Sequence, residues 1–179
     1  MSETVYDVLI VGAGIIGATL ARELSAYAMK VAVIDRASDI PSGASRANSA
    51  MIHAGFDDQP GTVKSRFCVP GNRLYHELAE PLDITLLECG SYVCGFGDGD
   101  LKILRNLLDQ GKRNGVPELS IVDGDALRSR EPNVSPGVRF ALHAPTGAIV
   151  NNFEAVLAFI DNAQQNGAEL FLETELRGI

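Results

Sequence analysis

Short apolar runs and one amphipathic stretch fill the first part of the chain. Residues 5–11 form an apolar run rich in β-branched side chains that ends at a glycine, which is typical of a strand buried on both faces. Residues 31–34 form a second such run and are followed by Asp35. Between the two runs, apolar side chains recur at helical spacing and predict a helix with one apolar face: Ile16, Leu20, Leu24 and Tyr27. The order predicts a β-α-β unit with parallel strands.

Periodicity disappears in residues 41–61, where Ser, Gly, Ala and Asn predominate, and this stretch is predicted to be a loop. A helix is predicted from residue 63, and Pro70 with Gly71 is expected to kink it or divide it in two. Beyond residue 80 the pattern predicts six further elements: a strand at 85–96, a helix through Leu101, Leu104 and Leu108 that closes at Gly115, a short helix at 125–129, a strand at 138–143, a helix at 152–166 that begins with a capping box of Asn151 and Glu154, and a strand at 169–173.

The predicted fold class is α/β, with a Rossmann-like, doubly wound parallel sheet and an inserted α+β segment. The last predicted strand is followed by only a few residues, which leaves an open sheet. We therefore expect the chain to be a fragment of a longer protein.

Charge and cysteine content narrow the classes of function. The formal net charge is -8, which disfavours nucleic acids and anionic membrane surfaces as partners. The first long apolar run is interrupted by glycines and lacks a basic residue before it, so neither a signal peptide nor a transmembrane segment is predicted. Cys68, Cys89 and Cys94 show no CxxC spacing, so no zinc or other metal site is expected; we expect buried thiols in a cytoplasmic protein.

The turn between the first strand and the first helix carries the pattern G-x-G-x-x-G at Gly12, Gly14 and Gly17. The first glycine allows a tight turn, the second lets the backbone approach a diphosphate, and the third lets the helix pack closely on the sheet. Asp35, at the end of the second strand, is placed to accept hydrogen bonds from a ribose hydroxyl. The pattern predicts a dinucleotide site. A carboxylate at this position disfavours NADP and leaves NAD and FAD open.

Four segments together carry a more specific resemblance: DVLIVGAGIIGATLARELS, VAVIDR, SGASRANSAMIHAGF and PGTVKSRFCVPGNRLYHELA. They resemble the N-terminal part of the FAD-dependent oxidoreductases of the D-amino-acid oxidase superfamily, in the branch of anaerobic-type glycerol-3-phosphate dehydrogenases and L-2-hydroxyglutarate oxidases. The resemblance implies that FAD is the cofactor. It also implies a FAD-binding domain that begins in residues 1–80, a substrate-domain insertion in 81–146 and a return to the first domain in 147–179.

The resemblance assigns roles to individual residues of this chain. Gly12, Gly14 and Gly17 would form the diphosphate turn, and Asp35 would bind the ribose with Arg36 beside the adenosine. The remaining assignments concern the polar loop: Ser42, Gly43 and Ser45 at the phosphates and ribityl chain, and Asn48, Ser49 and His53 near the flavin ring, with His53 as a candidate catalytic donor or base.

The chain departs from related patterns after His53. Aerobic glycerol-3-phosphate dehydrogenases carry a Gly-Gly-Leu-Arg-Tyr-like run there, whereas this chain has Asp57 and Asp58, which would disfavour an anionic substrate if they pointed inward. Lys64 and Arg66 are candidates to supply compensating positive charge. Ala50 stands where the pattern leads us to expect glycine.

The implied reaction is oxidation of a small anionic secondary alcohol by hydride transfer to the flavin, with a quinone or another carrier as the electron acceptor. Glycerol 3-phosphate is the expected substrate and L-2-hydroxyglutarate the alternative. The expected location is the cytoplasm, with peripheral association at the inner face of the membrane compatible with the full-length protein. Two other interpretations stay open: an NAD-dependent dehydrogenase, and a fragment that keeps the dinucleotide fold without activity.

Overall fold

The computed structural model describes residues 4–178. Along the chain its elements are β1 (Val8–Val11), α1 (Ile15–Ser25), β2 (Val31–Ile34), a short 3-10 helix (Gly43–Ser45), β3 (Met51–Ile52), α2 (Val63–Ala79), β4 (Leu86–Leu87), β5 (Ser91–Gly95), α3 (Asp98–Asn114), β6 (Ser120–Asp123), α4 (Gly124–Arg130), β7 (Phe140–Ala144), β8 (Ala148–Val150), α5 (Asn152–Gln165) and β9 (Glu169–Phe171). They form two compact units.

The first unit contains the described residues up to Ala50, together with Leu78–Thr85 and the chain from Val150 onward. Its sheet has the order β1-β2-β9, and all pairs are parallel. The predicted β-α-β unit is present, because α1 connects β1 to β2. The predicted α/β class with a parallel sheet is thus confirmed.

The apolar faces of β1 and α1 differ from the prediction. Leu9 and Val11 are exposed, so β1 is buried on one face only, and the predicted apolar stripe of α1 lies outward, with Ile16 75% exposed. The buried face of α1 consists of small side chains instead: Gly17, Ala18, Ala21 and Ser25. Small residues allow close packing, and α1 packs on α5. Gly17 itself lies against the turn and β1, since a Cβ there would meet the carbonyl of Gly12 and the side chain of Ile10.

The second unit contains Met51–Glu77 and Leu86–Ile149. An antiparallel sheet of order β5-β7-β6 forms its centre, and α3 covers one face through Leu104 against Leu142. On α4, Leu127 packs with Val138 and Ala141 in a separate cluster. Antiparallel strands with helices packed on them correspond to the predicted α+β segment.

The boundaries of the two units differ from the predicted ones. Residues 51–77 fall in the second unit, because β3 pairs with β8 and Asn72 of α2 donates to the carbonyl of Thr146. β3 and β8 are too short to show a periodic pattern, and they lie far apart in the sequence. The sequence therefore does not indicate that they pair. The assignment of a cofactor domain and a substrate domain stays a prediction.

Three local expectations were wrong, the first in part. α2 is not divided at Pro70, since Val63–Ala79 forms one helix with the proline inside it, while the expected kink stays a prediction. The cysteines are not fully buried: Cys89 and Cys94 are exposed, and Cys68 of α2 is half-buried with its Sγ 3.7 Å from the carbonyl oxygen of His53. The carboxylate of Glu154 accepts a hydrogen bond from the backbone N–H of Thr85, at 2.9 Å, rather than closing a capping box.

The cap residue of α5 and the end of α3 match the prediction. Asn151 caps α5 by accepting from the backbone N–H of Phe153 and Glu154, and α3 closes at Gly115 with a φ of +82°. Among the helices within residues 4–178, none combines the length and the apolar character needed to cross a membrane.

Candidate functional site: a glycine turn and a polar loop

The turn between β1 and α1 depends on the absence of side chains. Gly12 has a φ of +102°, in the left-handed region that glycine adopts without strain. A Cβ at Gly17 would lie 1.8 Å from the carbonyl oxygen of Gly12, so any side chain there would push the helix off the turn. The turn therefore requires glycine at both positions.

The start of α1 offers unpaired N–H groups. Within residues 4–178, no protein acceptor takes the N–H of Gly14 or of Ile16, and the first turn of α1 carries no acidic side chain. The N–H of Ile15 donates to the hydroxyl of Ser45 at 3.0 Å. Unpaired N–H groups at a helix N-terminus favour an anion, because the helix dipole adds positive potential there.

Asp35, directly after β2, is held by two backbone groups. Its Oδ2 accepts from the N–H of Ala13 at 2.8 Å, and its Oδ1 accepts from the N–H of Ala37 at 2.9 Å. Each carboxylate oxygen has a second lone pair, so the group can still accept a ribose hydroxyl. The contact with Ala13 fixes the glycine turn against β2, a function that the sequence pattern did not reveal.

Two cavities of the first unit contain most of the predicted cofactor residues. One, of about 320 Å³, has walls formed by Gly12, Asp35, Arg36 and Ser42, and also by the later segment Thr174, Glu175 and Leu176. The other, of about 700 Å³, is bounded by predicted residues of the turn and loop: Gly12, Gly14, Gly17, Ser45 and Asn48. The turn residue Gly12 belongs to both. The segment 174–176 was missed, because nothing in its sequence indicates a position beside Asp35.

Within the described residues, Gly43 and Ser49 line neither of these cavities. Gly43 begins the 3-10 helix with a φ of +58°, and Ser49 is exposed. The side chain of Asn48 organises the loop from within: it donates to the carbonyl of Ala44 at 2.9 Å and accepts from the N–H of Ala50 at 2.7 Å. The roles of these residues toward a cofactor stay predictions.

The first unit therefore fits a dinucleotide diphosphate. A Cβ added at Gly12 would meet no atom within 4 Å, so open space lies next to the turn where the free N–H groups begin. A carboxylate for a ribose stands in the neighbouring cavity. A dinucleotide needs N–H groups that bind its diphosphate and an acceptor for a ribose hydroxyl, and both are present here.

His53 belongs to the second unit, in the loop that follows β3. The residues on both sides of it, Ile52 and Ala54, are 8% and 2% exposed, whereas the His53 side chain is exposed. The backbone is thus anchored while the imidazole is free to meet a ligand.

The two acids that follow have different environments. Asp57 is exposed, but the Asp58 side chain is buried, and its Oδ1 lies 2.7 Å from the Nζ of Lys64. Burial alone would raise the pKa of the Asp58 carboxyl, but contacts with the Lys64 ammonium and the Cys68 thiol hold it below its ordinary value. The charge of Asp58 is therefore balanced inside the second unit by one of the two predicted cations.

The sequence model of the family described as FAD dependent oxidoreductase matches residues 7–179. The chain is 42% identical over 171 residues to the glycerol 3-phosphate dehydrogenase of Caloramator mitchellensis, a match that covers 96% of this chain and 36% of that protein. It is 32% identical to the mitochondrial L-2-hydroxyglutarate dehydrogenase of Nematostella vectensis, over 96% of this chain and 38% of that protein.

Among solved structures, the dithionite-reduced L-α-glycerophosphate oxidase of Mycoplasma pneumoniae with FAD bound superimposes with a TM-score of 0.89. The identity is 25%, and the match covers 98% of this chain and 46% of that one. The chain thus spans between about a third and a half of the length of these proteins. The predicted cofactor, FAD, is the cofactor of the family whose model it matches. The chain belongs to the FAD-dependent oxidoreductases.

Proposed function

We propose that the protein is a dehydrogenase that oxidises glycerol 3-phosphate to dihydroxyacetone phosphate with FAD as the hydride acceptor. The observation that carries the proposal is the glycine turn with free N–H groups beside Asp35. Similarity to the Caloramator dehydrogenase and to the Mycoplasma oxidase supports the choice of substrate.

In this proposal the protein supplies binding and orientation. The N–H groups of Gly14 and Ile16 bind the diphosphate, and Asp35 accepts a hydrogen bond from the ribose. When bound, FAD would supply the acceptor for the hydride of the substrate carbon. His53 accepts the proton of the substrate hydroxyl as a general base, since histidine commonly has this role and the side chain is exposed. A quinone or another carrier is the proposed final electron acceptor.

L-2-hydroxyglutarate is the second candidate substrate. The similarity to the Nematostella dehydrogenase supports it. Like glycerol 3-phosphate, it has a secondary alcohol close to an anionic group, so the same proton and hydride transfers apply. The two substrates differ in that one carries a phosphate and the other carboxylates.

An absorbance spectrum of the protein encoded by the complete gene tests the proposal. We expect a flavin spectrum that is bleached under anaerobic conditions by glycerol 3-phosphate. Bleaching by L-2-hydroxyglutarate alone would favour the second candidate. No bleaching by either compound would contradict both.

A pair of aspartate variants links the spectrum to the site. Asp35→Ala should lose most of the bound flavin, because the ribose acceptor and the fixed turn are lost together. Asp161→Ala removes an exposed carboxylate on α5 and should keep the flavin. Equal flavin content in the two variants would contradict the proposed site.

A further inference from the structure

The loop of residues 53–58, which carries His53, is held by amide side chains of α2 and α3. Asn72 donates through Nδ2 to the carbonyl of His53 at 3.2 Å and to the carbonyl of Thr146 at 2.7 Å. Both hydrogens of its amide group are thereby used.

Two residues of α3 hold the rest of the loop. Asn114 donates to the carbonyls of Gly55 and Asp58, at 2.9 and 2.7 Å, and Gln110 donates to the carbonyl of Phe56 at 3.1 Å. We call these three residues, Asn72, Gln110 and Asn114, the amide clamp.

The clamp acts on the backbone and leaves the imidazole free. Asn72 is 7% exposed, so its contacts are shielded from water. The loop also packs tightly on α2, since a Cβ at Gly55 would lie 2.9 Å from Val69 Cγ2. An irregular loop held at four carbonyls loses most of its freedom during folding rather than when a substrate binds.

We propose that the amide clamp positions His53 for proton transfer. Asn72 is the principal positioning residue, because it is the member of the clamp that donates to the carbonyl of His53. The inference rests on the proposed function, in which His53 accepts the substrate proton. It assigns no direct chemistry to Asn72, which acts through the backbone of its neighbour.

Kinetics of Asn72→Ala in the complete flavoprotein test the proposal. We expect kcat for glycerol 3-phosphate to fall about 10- to 100-fold, since small misplacement of a reacting group has effects of this size. KM should change by less than about threefold, because substrate binding itself is not removed. Flavin content should equal that of the wild type. A kcat within about twofold of the wild type would overturn the proposal.

A second measurement needs no substrate. In the wild type, the imidazole Hε1–Cε1 signal of His53 in an NMR spectrum should be single, and it is assigned by its absence in His53→Gln. In Asn72→Ala it should shift or split, because the loop then samples several positions. An unchanged signal would overturn the proposal even if the proposed substrate were wrong, so the two failures are distinguishable.

Two further variants serve as backup and control. Gln110→Ala removes a half-buried member of the clamp and should lower kcat about 3- to 10-fold, so it remains useful if Asn72→Ala does not fold. An unchanged kcat in Gln110→Ala would then overturn the proposal. Asn166→Ala removes an exposed amide that, among residues 4–178, donates to the carbonyl of Asn162 near the end of α5 and to no other group. It should leave kcat and the His53 signal unchanged, and a similar loss of kcat there would mean that the effect is not specific to the clamp.

Discussion

Ala50 has a φ of +57°, in the left-handed region that residues with a Cβ rarely adopt. The sequence pattern led us to expect glycine at this position, and the conformation explains why. Asn48 stabilises the bend by accepting a hydrogen bond from the N–H of Ala50. The strain therefore remains in the protein and is offset by a neighbouring side chain.

Replacing this alanine should relieve the strain. We expect Ala50→Gly to raise the free energy of unfolding by about 0.5–1 kcal/mol, the left-handed penalty less the greater entropy of glycine in the unfolded chain. Denaturant titration measures the change. Ala47→Gly, at an exposed position whose φ is not positive, should not stabilise, and equal effects of the two substitutions would contradict the explanation.

At the scale of single residues, the sequence predicted the glycine turn and Asp35 but not the amide clamp. Glycines and an acid at fixed spacing have a mechanical reason that holds in any chain with this turn. Asn72 lies 19 positions after His53, and Asn114 lies 59 positions after Gly55, the residues whose carbonyls they bind. Such contacts depend on how helices pack, which the spacing of polar residues does not reveal.

At the scale of secondary structure elements, Gly17 of α1 is closely packed, whereas Gly71 of α2 has open space around it. A Cβ at Gly17 in α1 would lie 1.8 Å from backbone, while a Cβ at Gly71 in α2 would meet nothing within 4 Å. The same substitution therefore tests packing in one helix and intrinsic helix propensity in the other.

We expect Gly17→Ala to destabilise the protein by about 2 kcal/mol or more and to weaken flavin binding, because the start of α1 must move. Gly71→Ala should instead stabilise by about 0.5–1 kcal/mol, since alanine favours a helix. Thermal unfolding and flavin titration measure both. Destabilisation of equal size in the two variants would show that contact with the Gly12 carbonyl is not the cause.

The sequence predicted the long helices better than their buried faces, and the strand predicted at 85–96 is two strands, β4 and β5. Gly17, Ala18 and Ala21 form the packed side of α1 although larger apolar side chains lie on its other side. Hydrophobicity alone points to the larger stripe, whereas the buried side of α1 consists of small residues, with Gly17 directly against the carbonyl of Gly12. β3 and β8 are two and three residues long and exist only as pairing partners, so no local pattern could predict them.

On the scale of the whole molecule, the three cysteines of the chain differ in their environments. Burial and a contact with Asp58 raise the pKa of the Cys68 thiol from 9.0 to about 12, whereas Cys89 and Cys94 are exposed. The thiolate is the reactive form, so at pH 8 a much smaller fraction of Cys68 than of an ordinary thiol is present as thiolate.

Labelling with iodoacetamide at pH 8 should therefore modify Cys89 and Cys94 and spare Cys68 until the protein unfolds. Peptide mass spectrometry identifies the modified residues, and labelling in denaturant is the control in which all three react. Comparable rates for Cys68 and Cys89 in the folded protein would contradict the raised pKa of the half-buried Cys68 thiol.

The division of the chain into units was only partly accessible from the sequence. Parallel strands joined by a helix identify the first unit without any knowledge of distant contacts. The placement of residues 51–77 in the second unit depends on β3 with β8 and on Asn72 with Thr146, contacts between segments far apart in sequence. The family resemblance, which placed the boundary near residue 80, did not indicate them.

The two hydrogen bonds that Asp35 accepts from Ala13 and Ala37 have a kinetic consequence. These bonds hold the β1–α1 turn and the segment after β2 in place before a nucleotide binds. The adenosine half would therefore bind to a surface that needs no rearrangement. Association should then proceed in a single phase whose observed rate rises linearly with nucleotide concentration, and the lifetime of the complex should depend on how firmly one carboxylate holds its two backbone partners.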